Sequence, residues 1–416
     1  MKILLINKFL HPKGGDALST LATGEILSKY GHQVYYWGMK HPKNPDYSYS
    51  VYFVENVDYF KKLSFKEKIS VSLKILYSFE AKKKIEKFLN EVVMPDVVHL
   101  NNFAHQISPS ILDVFKKYKI PTVMTMHDYK LVCAAYTMYV DGQVCERCKN
   151  GRYYWCFIKK CTKNSYSKSL INVLEMYLHH KILRIYNNID IFISPSKFLA
   201  EKVKQMGFKK EVVVLPNFVW LEDFKPQYSW TEDSICYFGR LSYEKGLFSL
   251  IKATKKLPVK LKIIGEGPIK EDLVSLAHSL EVNNVEFLGH KVGEELYNEV
   301  KKSMFVVLPS EWYENNPRSV IEAFALGKPV VAARIGGIPE LVVDNYTGLT
   351  FKPGDVEDIA EKILYLLKNY DKITEFGRNA RKFVEENHNP EKYYQKLISL
   401  YNQARKNYGS SNNYNI

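Results

Sequence analysis

Two glutamates flank a predicted helix start in the last third of the chain. Residues 305–309 form a short apolar run typical of a strand, and Pro317 suits the first position of a helix, with Asn316 as its N-cap. Glu314 lies in the loop before this helix, and Glu322 lies about one turn further on. A helix start offers backbone N–H groups to an anion, whereas carboxylates accept hydrogen bonds from hydroxyls. The pattern indicates a ligand that carries phosphates between two polyols.

The predicted helix ends before Gly327 and Pro329. Its free N–H groups are expected at Arg318, Ser319 and Val320. A nucleotide sugar has a diphosphate between a ribose and a second sugar. Such a molecule would use both the N–H groups and the two glutamates.

The rest of the chain alternates short apolar strands with helical stretches, which is typical of parallel sheets covered on both faces. The first half holds five predicted strands, at 2–7, 33–37, 96–100, 121–126 and 189–194. Five more follow a junction near 224–229, at 234–238, 261–264, 285–288, 305–308 and 329–332. Ligands of such sheets bind beyond the carboxyl ends of the strands.

These strands predict an α/β protein of two Rossmann-like, doubly wound domains that face a central cleft. The domains are expected at residues 1–225 and 226–389. Residues 390–405 are expected to form a helix that packs back on the first domain. The polar tail 409–416 is expected to be disordered.

Several motifs together resemble family 4 retaining glycosyltransferases of the GT-B fold. The segment 314–330, ENNPRSVIEAFALGKPV, resembles the E-x7-E motif of that family. Seven further matches fall in family order, at 124–128, 194–198, 215–217, 239–241, 244–246, 265–268 and 336–340. Seven ordered matches are far more specific than any one of them, and the resemblance covers nearly the whole chain.

The resemblance implies roles for the donor side of the cleft. Glu314 should bind hydroxyls of the donor sugar and Glu322 the ribose hydroxyls. The nucleobase should lie near Gly265 and residues 289–292, and Gly239 is a further expected donor-binding residue. Arg240 and Lys245 should clamp the diphosphate, and fixed cations suit the negative charge that builds as a nucleoside diphosphate departs. The matching loops carry no Asp-x-Asp sequence, so metal-independent catalysis without a cofactor is expected.

The resemblance also implies roles for the N-terminal side. Gly14 and Gly15 match the flexible glycine loop of the family, and His127 should lie near the donor sugar. Sugar transfer should retain the anomeric configuration, with the departing phosphate acting as the base. His99 ends a predicted strand and could border the acceptor pocket or serve the structure; both readings stay open. Phe218 replaces the glycine of the family's Pro-Asn-Gly turn.

Five of the six cysteines lie between residues 133 and 161. The spacing of Cys145 and Cys148 is typical of a zinc site. A subset of family 4 enzymes resembles this segment, and that comparison implies a structural metal set of Cys133, Cys145, Cys148 and Cys161, with Cys156 as the extra residue. Free buried thiols and disulfides are the alternatives, although a cytoplasmic location disfavours disulfides.

The chain has a formal net charge of +14, which favours anionic partners. Basic residues cluster among apolar ones at 61–87, and residues 149–168 hold six basic residues and no acid. An anionic membrane surface is a predicted partner, whereas no nucleic acid is expected. The first apolar segment is too short for a secretion signal. The protein is expected in the cytoplasm, peripheral at the inner face of the cell membrane.

The leading hypothesis is transfer of a sugar from a UDP- or GDP-type donor to a glycan or lipid-linked acceptor, in cell-surface polysaccharide biosynthesis. One alternative is another GT-B enzyme, such as a sugar-nucleotide epimerase. A second alternative, from a different class, is a non-catalytic GT-B subunit of glycan assembly.

Overall fold

The first domain is built on a six-stranded parallel sheet. The computed structural model describes residues 1–56 and 65–410. The strands of this sheet lie in the order β2-β1-β3-β4-β7-β8. Their bounds are β1 Lys2–Ile6, β2 Gln33–Trp37, β3 Val97–Leu100, β4 Thr122–Thr125, β7 Ile191–Ser194 and β8 Val212–Val214. A small hairpin, β5 Tyr139–Val140 and β6 Gln143–Val144, stands apart from it.

Helices cover this sheet on both faces, as the continuous apolar strands predict. They are α1 Gly15–Lys29, α2 Phe65–Leu76, α3 Phe79–Glu91, α4 Leu112–Lys117, α5 Tyr154–Ile158, α6 Tyr166–Tyr177 and α7 Lys197–Gln205. The helix α1 ends at Lys29, and Gly31 just beyond it has a φ of 78°, a conformation that glycine adopts readily at helix ends.

The second domain repeats the doubly wound plan. Its six parallel strands lie in the order β11-β10-β9-β12-β13-β14. They are β9 Ser234–Phe238, β10 Lys260–Ile264, β11 Val285–Gly289, β12 Val306–Leu308, β13 Val330–Ala333 and β14 Gly348–Phe351. The helices are α8 Leu247–Thr254, α9 Lys270–Ser279, α10 Gly293–Lys302, α11 Arg318–Ala325, α12 Val356–Lys368 and α13 Tyr370–Asn387.

The last helix, α14 Pro390–Ser410, returns to the first domain. Tyr393, Leu397 and Tyr401 are buried in a core with Ile3 and Leu5 of β1. The helix therefore packs against one face of the first sheet, which is the position expected for residues 390–405. Of the predicted disordered tail, residues 409 and 410 extend α14, and residues 411–416 lie outside the described residues. Within the described residues, no helix is both long and apolar enough to cross a membrane.

All ten predicted strands are present, but two edge strands were not predicted. The three valines of β8 are only half-buried, so they give a weak apolar signal. The strand β14 begins at Gly348, where an added Cβ would lie 1.9 Å from the carbonyl oxygen of Val330. Close backbone contact with β13 requires glycine at this position. Glycine is disfavoured in strands, so the sequence pattern did not indicate one here.

The start of α11 lies one residue later than predicted. Pro317 is the N-cap, with φ −65° and ψ 116°, and Arg318 is the first helical residue. The Asn316 side chain, predicted to cap the helix, accepts a hydrogen bond from the Asn217 backbone N–H at 3.2 Å. The Val320 N–H is not free, because it donates to the Pro317 carbonyl at 3.1 Å. This correction shortens the predicted anion site to Arg318 and Ser319.

Candidate functional site

Glu314 and Lys245 form an ion pair in the cleft wall of the second domain. The Lys245 Nζ donates to Glu314 Oε1 at 2.6 Å, and the Ser310 hydroxyl donates to the same oxygen at 2.6 Å. Burial would raise the pKa of Glu314, but Lys245 and Ser310 outweigh it and hold the pKa below its usual value. Glu314 is therefore an ionised hydrogen-bond acceptor at neutral pH.

A tight turn after β9 presents Lys245 to the glutamate. Gly246 has a φ of 69°, and a Cβ added there would lie 1.9 Å from the carbonyl oxygen of Pro309. Only glycine fits this close approach to the end of β12 without distortion. The Lys245 Nζ also lies 5.3 Å from the centre of the Trp312 ring. Strands β9 and β12 are neighbours where the strand order reverses, the usual ligand position in such sheets.

Glu322 and Arg318 form a second pair, one turn apart on α11. The Arg318 Nε lies 3.4 Å from Glu322 Oε1. Burial raises the pKa of Glu322, and Arg318 offsets this only in part. The two glutamates therefore differ: a close cation holds Glu314 ionised, whereas Glu322 takes up a proton more readily.

Two glycines follow the ends of β9 and β10, Gly239 and Gly265, and we call them the glycine floor of the site. Gly239 and Gly265 have φ values of 151° and 150°, and a Cβ on Gly265 would lie 1.9 Å from the carbonyl oxygen of Gly239. The ends of β9 and β10 thus pack backbone against backbone, and no side chain stands at either glycine. Arg240 is exposed beside this floor. It lies close enough to Tyr136 of the first domain to oppose the rise in pKa that burial causes there.

His127 stands at the end of β4 on the opposite wall. Its Nε2 lies 2.9 Å from Asn101 Oδ1, and Asn101 follows the neighbouring strand β3. Burial lowers the pKa of His127, although Asp16 and Asp128 oppose the shift. The imidazole is therefore neutral near pH 7 and can hydrogen-bond a hydroxyl.

Two residues of this wall were not predicted from the sequence. Lys8 follows β1, and burial lowers its pKa against the attraction of Asp16 and Asp128. Asn101 lines a small pocket with His127 and Lys130, and its buried Nδ2 has no hydrogen-bond partner within the described part of the chain. The convergence of β1, β3 and β4 at one sheet edge was a signal that could have identified both residues.

The predicted glycine loop lies against the start of α11. Gly14 has a φ of 133°, and a Cβ added to Gly15 would lie 3.8 Å from Arg318 Cδ. The structure thus brings together both glycines and the predicted anion site. His99, in contrast, is fully buried between Tyr401 and Thr125, at 2.7 and 2.8 Å, and burial lowers its pKa to about 3. His99 has a structural position.

The residues after Glu314 join the two domains. The Asn315 Nδ2 donates to the Met126 carbonyl at 3.1 Å, and its Oδ1 accepts from the Ser196 hydroxyl at 2.6 Å. The Glu340 carboxylate accepts from the backbone N–H groups of Lys197 and Phe198, at 2.9 and 2.6 Å. One loop therefore carries both a site residue and a link across the cleft.

The five cysteines of the segment 133–161 lie near one another in the first domain. Within residues 1–56 and 65–410, no three His, Cys, Asp or Glu side chains are grouped to hold a metal ion, and all six cysteines are free. The thiols pair as Cys133 with Cys148 and Cys156 with Cys161, while Cys145 is half-buried beside them. The structural metal set of Cys133, Cys145, Cys148 and Cys161 stays a prediction, and Cys156 is one of the paired thiols. A two-residue spacing does not fix where each thiol points.

Two family models match the chain. The model described as Glycosyltransferase Family 4 matches residues 14–223, and the model described as Glycosyl transferases group 1 matches residues 220–383. An uncharacterized 42.6 kDa protein in the cps region of Klebsiella pneumoniae is 27% identical over 399 residues. That match covers 90% of this chain and 98% of the relative.

Solved structures share the fold over nearly the whole chain. Sucrose-phosphate synthase from Thermosynechococcus elongatus matches with a TM-score of 0.73 and 19% identity, over 97% of this chain and 98% of that one. Anabaena HepE in complex with UDP-glucose matches with a TM-score of 0.65 and 18% identity, over 97% and 100%. Both match across the two facing domains. The chain belongs to glycosyltransferase family 4, group 1, and has the GT-B fold.

Proposed function

We propose that this glycosyltransferase moves a sugar from a nucleotide-sugar donor to a glycan or lipid-linked acceptor, with retention of configuration. The observation that carries the proposal is the Lys245–Glu314 ion pair between the glycine floor and the start of α11. A diphosphate needs cations and N–H donors, and a sugar needs a charged acceptor for its hydroxyls. This wall offers all three within one loop cluster.

Each group has a role in this proposal. The ionised Glu314 binds donor-sugar hydroxyls, and Glu322 binds the ribose hydroxyls. Lys245 and the exposed Arg240 contact the diphosphate and stabilise the charge that develops as it departs. In this scheme the two cations stabilise the diphosphate charge as a metal ion would, so turnover is independent of added divalent ions.

The opposite wall holds the acceptor. The neutral His127, held by Asn101, hydrogen-bonds a hydroxyl of the donor sugar. In this proposal the departing phosphate takes the proton of the attacking acceptor hydroxyl. Both reacting groups then lie on the same face of the sugar, as retention requires.

Two comparisons support the choice of substrates. HepE was solved with UDP-glucose, which favours a UDP-type donor over a GDP-type donor. The relative in the cps region of Klebsiella pneumoniae favours a role in cell-surface polysaccharide biosynthesis. The proposed place of action is the inner face of the cell membrane, where a lipid-linked acceptor would be met.

Release of nucleoside diphosphate without acceptor tests the proposal. The protein should slowly hydrolyse one member of a panel of UDP- and GDP-sugars, and chelation of divalent ions should leave the rate unchanged. Glu314→Ala should reduce this rate strongly. Binding without release would instead favour the non-catalytic subunit, and conversion of the donor into an epimer would favour the epimerase.

A further inference from the structure

The helix α6 leaves several large apolar side chains exposed to solvent. Exposed apolar residues recur every four positions along α6, at Tyr166, Leu170 and Leu174, and again eight positions later at Ile182 in the following π-helical turn, with exposed fractions of 52, 43, 48 and 72%. We call these four residues the α6 face. A spacing of four places side chains on one side of a helix. A continuous apolar stripe of this kind on a surface marks an interaction site.

Polar contacts hold the opposite side of α6 in place. The fully buried Glu175 accepts from Lys130 Nζ at 2.7 Å, and the Asn172 side chain donates to Thr162 at 2.9 Å. His179 lies 2.6 Å from the Leu76 carbonyl oxygen. Val173 and Met176 add apolar burial on this side. The outward aliphatic residues are therefore not needed to attach the helix to its own domain.

The α6 face continues onto α5. The rings of Phe157 and Tyr166 lie 5.2 Å apart, and Ile158 beside them is half exposed. The Lys160 Nζ lies over the Tyr166 ring at 4.5 Å. Aromatic and aliphatic groups with lysines at their edge are typical of surfaces that sit at the boundary between water and lipid.

The charge around this face is mainly positive, although Lys159 pairs with Asp141 at 3.3 Å. Between residues 149 and 188 the only acid is Glu175, which is fully buried. The same stretch holds eight cations: Lys149, Arg152, Lys159, Lys160, Lys163, Lys168, Lys181 and Arg184. Two copies meeting through this face would bring these cations together and repel each other. An anionic bilayer complements both the cations and the aliphatic residues.

The other predicted basic segment differs. Lys61 and Lys62 lie outside the described residues, as do the side chains of Lys66 and Lys68. In the described part, Lys74 pairs with Glu80 at 2.6 Å and Lys82 lies 3.8 Å from Asp113. Acids offset these lysines, so the described part of the segment 61–87 carries less unbalanced positive charge than the surroundings of the α6 face.

We propose that the α6 face docks onto an anionic phospholipid bilayer. Lys130, which holds Glu175 of α6, also lines the pocket beside His127. Docking would therefore bring this pocket to within about 10 Å, one helix diameter, of the lipid surface. The role given to membrane docking rests on the lipid-linked acceptor of the proposed function. The test of docking itself needs neither donor nor acceptor.

Vesicle flotation of the full chain tests the docking. The protein should float with phosphatidylcholine vesicles that contain about 30 mol% phosphatidylglycerol, should not float with phosphatidylcholine alone, and should be released by high salt. Leu174→Gln with Ile182→Gln should weaken binding at least about tenfold. Lys160→Glu with Lys168→Glu should weaken it by at least about fivefold per charge.

A matched control changes exposed valines elsewhere. Val51→Gln with Val274→Gln, at 65 and 44% exposure, should bind vesicles like the wild type. Donor hydrolysis in solution should be the same in all three double variants, so loss of vesicle binding is separable from loss of catalysis. The proposal is overturned if the wild type ignores anionic vesicles or if Leu174→Gln with Ile182→Gln binds normally. The proposal is also overturned if light scattering shows that the wild type is a dimer and that Leu174→Gln with Ile182→Gln is a monomer.

Discussion

At the residue scale, the site depends on the ion pair between Lys245 and Glu314. Lys245 and Glu314 are 69 positions apart, and both were predicted as site residues, but separately. Motif order places each at the cleft, whereas direct contact depends on the turn at Gly246 and on the loop after β12. The pKa difference between Glu314 and Glu322 could not be predicted either, because it arises from burial and from the distance to a cation.

Glu314→Gln keeps the size of the side chain and removes its charge. Donor hydrolysis should fall by about a hundredfold or more, because an ionised acceptor is lost and Lys245 loses its partner. Unfolding free energy should fall by about 1–3 kcal/mol at pH 7, less than for a fully buried pair because Lys245 is partly exposed. Nucleotide release and thermal unfolding measure the two effects.

The loss of stability in Glu314→Gln should become smaller as the pH falls. The folded-state pKa of Glu314 is lowered, so its stabilisation is complete above its ordinary pKa of 4.5 and disappears as pH falls through the lowered value. The stability gap between wild type and variant should therefore close in acid. Glu357→Gln, in the exposed pair with Lys256, is the control and should change little. An equal effect from both variants would contradict the role given to Glu314.

Asn101 is expected to act as a positioning residue for His127. Asn101→Asp places a carboxylate near the imidazole Nε2, which should raise the pKa of His127 and move the acid limb of kcat/KM upward by about one pH unit. Asn101→Ala should lower kcat without moving that limb. If the two variants share the wild-type pH profile, Asn101 does not act through His127.

At the element scale, periodicity predicted most strands and the helix α11, because continuous apolar runs and Gly–Pro punctuation are local signals. It did not predict the exposed apolar residues of α6. A helix pattern shows that Leu170, Leu174 and Ile182 share one side, but it assigns that side to the core. Tertiary contacts, such as that of Glu175 with Lys130, reveal that polar residues lie on the buried side.

The turn at Gly246 should be the most sensitive glycine of the site. Gly246→Ala combines a positive φ with a clash against the Pro309 carbonyl, so it should destabilise the fold by about 3 kcal/mol or more and abolish donor hydrolysis. Gly31→Ala also has a positive φ, but its Cβ would meet open space, so about 1–2 kcal/mol is expected with activity retained. Chemical denaturation compares the two variants, and equal losses would argue against the clash.

At the scale of the whole molecule, the two domains are linked beside the donor wall. The contacts of Asn315 with Ser196 and of Glu340 with the start of α7 lie next to Glu314. Sequence motifs predicted two facing domains, because each half repeats the same alternation of strands and helices. They could not predict which polar groups meet across the cleft, since those contacts depend on the relative placement of two separate sheets.

Loss of one link should open the cleft. Glu340→Ala removes the acceptor for two backbone N–H groups at a helix start, which costs about 1 kcal/mol of stability and should raise the radius of gyration in small-angle scattering. Glu201→Ala, on the exposed side of the same helix α7, is the matched control and should leave the radius unchanged. A radius that stays at the wild-type value in both variants would mean that Glu340 does not hold the domains together.

The central claim is that Lys245, Glu314 and the start of α11 form a nucleotide-sugar site. Calorimetric titration with UDP tests it most directly, because it needs no acceptor and no turnover. The wild type should bind UDP, and Lys245→Met should weaken binding by about ten- to a hundredfold through loss of a charged hydrogen bond. Wild-type protein that binds neither UDP nor GDP at millimolar concentration, or Lys245→Met that binds UDP as tightly as the wild type, would contradict the account.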